Sequence, residues 1–406
     1  MSFNVLVVNC GSSSIKYQVF DMDEERVLAR GLMDRVGIPN TVLTHEPEGR
    51  DDKVVIRKDI ADHTEGMKLV IETITNAEYG VIKDLAEIKA VGHRVVHGAD
   101  YFAESVLISD EVKRAISDCY DIAPLHNPPN MMGIEACQGI MPRVPQVAVF
   151  DTAFHQTMKP DHYMYALPYE LFEKYKVRRY GFHGTSHYYV SQRAAVMLGK
   201  PVEDTKMITL HLGNGASVAA VKGGEVVETS MGYTPLEGLV MGTRCGDIDP
   251  YIVILIMEKL NLTSSQANDY LNKKSGALGL SGVSNDFRDI SEAARGGNPR
   301  AQLTLQVYVN KVKAYIGAYM AMLNGCDGIV FTAGLGENAV NIREMICQDM
   351  DYLGIKLNNE KNQVRGKEIN IAADDSKVNL FIIPTNEELV IARDTYDIVK
   401  GGQKPA

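Results

Sequence analysis

Twice in this chain an apolar strand runs into a turn of small polar residues and returns as a second strand. No other feature limits the fold as much. The first copy is Val5-Leu6-Val7-Val8, then Asn9-Cys10-Gly11-Ser12-Ser13-Ser14, then Ile15, Tyr17 and Val19 alternating with Lys16 and Gln18. The second is Met207 to Leu212, then Gly213-Asn214-Gly215, then Ala216 to Val221. Gly11 lets the backbone approach another group closely. Ser12 to Ser14 and Lys16 add hydroxyls, N–H groups and a cation, a set that suits phosphate oxygens. An ordinary hairpin uses the same residues at its tip, so one copy alone carries either reading. Two copies far apart in the chain point to a duplicated architecture.

Composition narrows the class. A chain of 406 residues exceeds what one hydrophobic core usually serves, so two domains meeting across a cleft are expected. Hydrophobic content of 45% and charged content of 23% fit a soluble globular enzyme. The net charge of −10 argues against nucleic-acid or membrane-surface partners, which attract basic proteins. The first strand begins almost at once, so no signal peptide is expected. The longest apolar stretch, Tyr251 to Met257, is too short to span a bilayer. Six scattered cysteines without a Cys-x-x-Cys pair read as reduced thiols of a cytoplasmic protein.

Local signals place the rest. Asn298 and Pro299 cap a helix running to Leu323. Pro124, Pro128 and Pro129 predict a stiff loop over 123–130. Residues 178–187 read as a glycine-punctuated loop entering a helix over 188–198. Residues 333–338 read as a glycine turn before a helix that reaches Tyr352. The last strand is predicted over Leu380 to Ile383, followed by a Thr385–Glu388 capping box that opens the final helix. The tail over 401–406 is expected to fray.

The chemical signals are individually ambiguous. There is no Gly-x-x-x-x-Gly-Lys-Ser/Thr loop, since Leu198-Gly199-Lys200 is followed by Pro201, and no Gly-x-Ser-x-Gly elbow. Gly334-Leu335-Gly336-Glu337-Asn338-Ala339 matches a dinucleotide fingerprint, or a milder nucleotide-binding turn. His183 and His187 have the spacing of a metal pair, though Gly184 and the lack of a third partner favour hydrogen bonding. Arg94 interrupts a valine-rich strand and wants an anion, either substrate or a structural carboxylate. Arg244 lies among small residues, free to reach a ligand or bridged to Asp247 or Asp249. Two phosphate-type hairpins, two turn arginines, Asp151 at a strand end and Glu387 at a helix start form a set suited to phosphoryl transfer, with the acids holding Mg²⁺.

Several of these stretches together resemble the signatures of the acetokinase family: Asn9 to Lys16, Gly92 to Gly98, Arg179 to His187, Met241 to Arg244, Asp247 to Pro250 and Thr385 to Glu388. The likeness runs from Val5 to about Val399 in order. It implies an α/β fold of two duplicated ribonuclease H-like, actin-like domains flanking a nucleotide cleft, residues 1–150 with 385–406 and residues 151–384. The C-terminal helix would return to the first domain. It implies reversible transfer from ATP to acetate, giving ADP and acetyl phosphate, by direct in-line attack, with propionate or another short-chain carboxylate as the alternative acceptor. Asp151, His183, Arg244 and His126 would be catalytic. Arg94, Val96, Leu125, Phe182 and Pro235 would bind the carboxylate, Val96 favouring acetate. Lys16, Ser12, His211, Leu212, Gly213, Asn214, Gly215, Asp286, Phe287, Arg288, Gly334, Leu335, Gly336, Glu337 and Asn338 would hold the nucleotide. Asn285 and Phe287 stand where the family often has Ser and Met. Asn9 and Glu387 would organise Mg²⁺, with Mn²⁺ as a substitute, so the last strand and helix should pack beside the first strand. A cytoplasmic homodimer is implied. A nucleotide-gated protein of actin or chaperone type and a dehydrogenase remain as other classes.

Overall fold

Fourteen strands form two sheets in the computed structural model, which describes residues 2–401. All of the predicted tail except Gly401 lies outside the described residues. The chain divides into two units, Met1–Ala153 with Asn386–Ala406, and Phe154–Thr385.

The first unit holds β1 (Asn4–Gly11), β2 (Ser14–Asp21), β3 (Arg26–Asp34), β4 (Val42–Pro47), β5 (Val54–Arg57), β6 (Ile88–Val95), β7 (Val106–Leu107) and β8 (Gln146–Phe150), in sheet order β5-β4-β3-β2-β1-β6-β8-β7. β1 pairs antiparallel with β2 and parallel with β6, and β6 runs parallel to β8. β1 is apolar along its length because both of its faces are covered. Leu6 and Val8 pack with Met67, Val70 and Ala136 on one side. Val5 and Val7 pack with Ile391 and Ala392 of the C-terminal helix (Glu387–Lys400) on the other. Gly92 of β6 allows that helix to approach, because a Cβ there would lie 2.4 Å from Thr395 Oγ1.

The second unit repeats the plan. β9 (Lys206–Leu212), β10 (Ala216–Lys222), β11 (Glu225–Thr229), β12 (Gly328–Thr332), β13 (Ile369–Asn370) and β14 (Asn379–Ile382) have order β11-β10-β9-β12-β14-β13. Strands β3-β2-β1-β6-β8-β7 and β11-β10-β9-β12-β14-β13 therefore share one pattern, three antiparallel strands, then two parallel strands, then an antiparallel edge strand, and the first sheet extends it with β4 and β5. This is the ribonuclease H-like, actin-like arrangement, present twice, as the paired hairpins suggested. An antiparallel β9–β10 hairpin beside the glycine turn is not the all-parallel sheet that a dinucleotide fingerprint needs.

Six expectations are corrected. Pro128 and Pro129 do not break structure; they occupy the first turn of a helix over Asn127–Ile140, where a missing N–H costs nothing. The helix expected from Tyr188 starts at Gly184. Residues Ala333–Asn338 are a short helix rather than an open turn, and the next helix stops at Cys347 instead of Tyr352. Asn386, not Thr385, caps the final helix, its side chain accepting from Leu389 N at 3.1 Å. Of the last strand and the final helix, the helix alone packs on the first sheet; the strand, β14, pairs with β12 in the second.

Candidate active site

In the first unit, parallel strands deliver polar side chains to one edge. Val8 of β1 pairs with His93 of β6, so Asn9 and Arg94 follow at the same level. Arg94 pairs with Val149 of β8, and Asp151 comes just beyond that strand. The carboxyl ends of adjacent parallel strands are where open α/β sheets bind ligands. Arg94 donates from Nε to Asp151 Oδ1 at 3.0 Å and from Nη2 to Oδ2 in a tight two-point pair. Its side chain keeps 21% exposure while Asp151 keeps 1%. Two of five guanidinium hydrogens are used on Asp151, which leaves Nη1 and one Nη2 hydrogen to meet a ligand.

Burial pushes the Asp151 carboxyl up to about 6, Arg94 pulls it back and Glu387 pushes it further up. Arg94, despite its burial, stays above its ordinary value because Asp151, Glu387 and Glu388 surround it. Burial also raises Glu388, with Lys16 and Arg94 opposing. Glu388 therefore belongs to this charged cluster, although its sequence position imitates a capping box. Lys16, in register with Asn9 across the hairpin, is exposed, as is Ser12.

Asn127 and Asn130 fix the backbone after Arg94. Asn130 Oδ1 accepts from Val96 N at 3.0 Å, and its Nδ2 donates to Cys10 O at 2.7 Å. Asn127 accepts from His97 N at 3.1 Å and donates to His97 O at 2.9 Å. These two residues were missed in the sequence; their i, i+3 spacing on the inward side of a helix start was the available signal. Val96 is buried, Leu125 is exposed and His126 is the half-buried N-cap of their helix.

The second unit gathers His183, His211, Gly215 and Arg244. His183 is the N-cap of the helix Gly184–Leu198 and adopts φ 59°, a left-handed strain for a side-chain-bearing residue. Its ring stacks on His211 with centroids 4.0 Å apart. A Cβ on Gly215 would lie 3.3 Å from Arg244 Nη2 and 3.5 Å from His183 Nε2, so Gly215 keeps both groups around an open backbone. Arg244 is not bridged to Asp247 or Asp249. Its Nη1 donates to Pro235 O at 2.8 Å, while Asp247 accepts from Gly238 N and Asp249 caps Tyr251. Burial lowers the Arg244 pKa. Gly242 N donates to Asn214 O at 3.0 Å, tying the Arg244 loop to the hairpin tip. His187 is not half of a metal pair, since its ring nitrogens face Thr209 and Ser217 hydroxyls at 2.7 Å each.

The remaining sequence candidates fall into three groups. Leu212 and Phe182 are buried, Pro235 is partly buried, and Asn214 is exposed. Asp286 caps the helix Phe287–Arg295 and pairs with an exposed Arg288. The Phe287 side chain is buried in the core, its ring centroid 4.5 Å from that of Tyr308. Gly334 is open around its Cα, whereas Gly336 packs on Phe331 backbone. Leu335 is partly buried, Asn338 is exposed, and Glu337, raised by burial, accepts from Thr385 N at 3.3 Å.

Duplicated ribonuclease H-like units, with charged groups at parallel strand ends and a glycine-opened cationic hairpin, define a kinase of the actin and sugar-kinase class. The family model described as "Acetokinase family" matches residues 4–393. The chain is 69% identical over 396 residues to an acetate kinase of Syntrophomonas wolfei, covering 98% of this chain and 100% of the relative. A crystal structure of Porphyromonas gingivalis acetate kinase superposes with a TM-score of 0.94 at 46% identity, covering 98% of this chain and 100% of that one. A propionate kinase of Francisella tularensis gives 0.91 at 41% identity, with 98% and 100% covered. The chain belongs to the acetokinase family.

Proposed function

We propose that the chain transfers the γ-phosphoryl group of ATP to acetate, reversibly, giving ADP and acetyl phosphate. The observation that carries this reading is the full-length 69% identity to an acetate kinase. The Arg94 guanidinium, with hydrogens left over from Asp151, supplies a fitting carboxylate anchor. Acetate resembles a Glu side chain, whose pKa is about 4.3. It is already ionised at neutral pH, so no base is needed to make the nucleophile. The barrier is an anion meeting an anion, and cationic hydrogen-bond donors lower it.

Arg94, Val96, Leu125, Phe182 and Pro235 bind acetate in this reading. Arg244, His183 and His126 stabilise the phosphoryl group in flight. Asp151 holds the Arg94 fork in place. The hairpin tip at His211 to Gly215, with the backbone at 286–288 and 334–338, takes the nucleotide, and Ser12 and Lys16 face phosphate.

Among the described residues there is no cluster of three or more His, Cys, Asp or Glu side chains that could hold a metal. The amide oxygen of Asn9 and the carboxylate of Glu387 are hard donors. They fit Mg²⁺ or Mn²⁺, since Mg²⁺ commonly takes one or two carboxylates and completes its shell with water and phosphate. When bound, the ion neutralises charge on the phosphates.

Two further parts of the reading concern the assembly and its compartment. The helix Pro250–Leu260 has no buried residue and exposes Tyr251, Ile254 and Leu255, which share a face at i, i+3 and i+4, at 63%, 52% and 37%. A contiguous apolar face of this kind supports a homodimer. Six free cysteines support a reducing, cytoplasmic setting.

The test is a coupled ADP assay with acetate, propionate and butyrate. Acetate should give the highest kcat/KM. One methylene is worth about 1–3 kcal/mol in such a pocket, so propionate should trail by roughly 10- to 200-fold. A preference for propionate would overturn the acetate assignment and keep the family.

A further inference from the structure

The Arg244 guanidinium takes its aim from a loop that the roles above leave unexplained. The backbone around Arg244 is fixed on one side, where Gly242 N donates to Asn214 O at 3.0 Å, Cys245 N to Leu271 O at 3.1 Å and Thr243 Oγ1 to Asn272 O at 2.8 Å. The head is held from another. Nη1 donates to Pro235 O at 2.8 Å and lies 3.5 Å from Met241 Sδ, while Nη2 is the nitrogen nearest Gly215. The guanidinium is planar, so the bond at Nη1 sets where Nη2 points. Pro235 lies among residues 232–237, outside any helix or strand. Connecting segments of this kind are the mobile parts of a fold, so a carbonyl there is steady only where side chains pin the loop.

Arg179 pins that loop on both sides of Pro235. Its Nη1 donates to Thr229 O at 2.9 Å and to Ser230 O and Met231 O at 3.2 Å each, just before the loop. Its Nη2 donates to Glu237 Oε1 at 2.6 Å, just after Pro235. Tyr165 repeats the grip. Its hydroxyl accepts from Tyr233 N at 2.9 Å and donates to Glu237 Oε2 in a tight bond. A Cβ on Gly232 would collide with Glu237 Oε2 and Tyr165 Oη, so Gly232 admits both groups over its backbone. Asp247 closes the far end, accepting from Gly238 N and from the Tyr315 hydroxyl at 2.8 Å each. Arg179, despite its burial, stays above its ordinary pKa because Glu237, Tyr165 and Glu228 surround it. Burial and the Glu237 carboxylate push the Tyr165 hydroxyl up, so it remains a donor.

We propose that Arg179, Glu237 and Tyr165 are positioning residues that aim Arg244 at the phosphoryl group by fixing the Pro235 carbonyl. An ion pair kept for stability alone needs one carboxylate. Arg179 instead takes three successive carbonyls and a carboxylate from opposite sides of Pro235. It also ties in the segment that leads to His183. Tyr180 N and Gly181 N, directly after Arg179, donate to Gly232 O at 3.1 and 3.3 Å. One guanidinium therefore keeps the two groups beside Gly215, His183 and Arg244, in a common frame. The proposal rests on the acetate-kinase reading for its catalytic meaning, and on the hydrogen bonds alone for the aim of Arg244.

Glu237→Ala in the full-length protein tests it. Glu237 keeps 32% side-chain exposure, so its truncation leaves the core intact, and Arg179 retains its three carbonyls. The variant should lose roughly 10- to 100-fold in kcat, the scale of a misplacement of about 1 Å, with the ATP KM within about threefold. In an Arg244→Ala background the same change should cost less than about threefold, because the group it aims is gone. Losses that multiply in the double variant overturn the proposal, as does a Glu237→Ala enzyme with wild-type kcat and only a lowered Tm. If Glu237→Ala does not fold, Tyr165→Phe serves instead. It takes the hydroxyl from Tyr233 N and Glu237, and its kcat loss should likewise vanish in the Arg244→Ala background. A crystal structure of the variant reads the aim without turnover. The Arg244 head should have left Pro235 O, and a head still within hydrogen-bond distance overturns the proposal. If the wild type shows no acetate-dependent turnover, the acetate reading fails, and that crystal structure still decides the positioning.

Discussion

Arg94 and Arg244 look alike in the sequence but sit in different chemistry. Arg94 shares its fork with a buried carboxylate and keeps hydrogens for a second one. Arg244 is held by a backbone carbonyl beside an open glycine. Arg94→Ala should raise the acetate KM by tenfold or more, while Arg244→Ala should act mainly on kcat, by about 10²-fold. Steady-state kinetics with acetate varied at saturating ATP separate the two; an Arg244→Ala enzyme altered only in acetate KM would refute its role. Asp151 gives a pH prediction. Its folded pKa, about 6, lies above the unfolded value, so its contribution to stability is present below about pH 4 and lost as pH rises through 6. Asp151→Asn lacks that loss. Its stability relative to wild type should climb between pH 4 and 7 in urea titrations, and a relative decline would contradict the shift. The motif residues were legible because chemistry needs those types. Glu388 was misread because its spacing from Thr385 satisfies a capping rule that burial beside Arg94 and Lys16 overrides. Asn127 and Asn130 were hidden by the prolines between them.

At the scale of elements, glycine and arginine decide how closely parts approach. Gly92→Ala would press on Thr395 and Ile391 and shift the helix that carries Glu387 and Glu388. A loss of about 1–3 kcal/mol by denaturant unfolding is expected, with lowered activity. An unchanged midpoint would mean the helix tolerates the added methyl. Arg343 is fully buried and donates to Gly336 O, Asn362 Oδ1, Asn362 O and Val364 O. Burial lowers its pKa to about 10. Arg343→Met strands these oxygens and should cost at least about 3 kcal/mol, visible as a lowered midpoint before any change in acetate KM. Strand alternation and the Asn298–Pro299 start were both readable locally. The start of the helix at Gly184 was not, because a left-handed His183 as N-cap breaks the usual preference for small polar residues.

For the whole molecule, the repeated hairpin was the strongest clue, since a pattern of strand, polar turn and strand occurring twice implies two like sheets. Six strands of the first sheet, β3 to β7 in sheet order, match the second sheet in order and sense, and β4 and β5 are extra. The sheet to which the last strand belongs could not be read from the hairpins, because pairing partners far apart in sequence leave no local signal. If the Pro250–Leu260 face joins two copies, replacing Ile254 and Tyr251 with Lys should halve the mass seen by light scattering; an unchanged dimer would place the interface elsewhere. The central claim is that this chain makes an acyl phosphate. ³¹P NMR of the purified protein with MgATP and acetate tests it most directly. The account predicts acetyl phosphate and ADP appearing one for one. ADP accumulating with inorganic phosphate and no acyl phosphate, as a nucleotide-gated ATPase of the same fold would give, would contradict it.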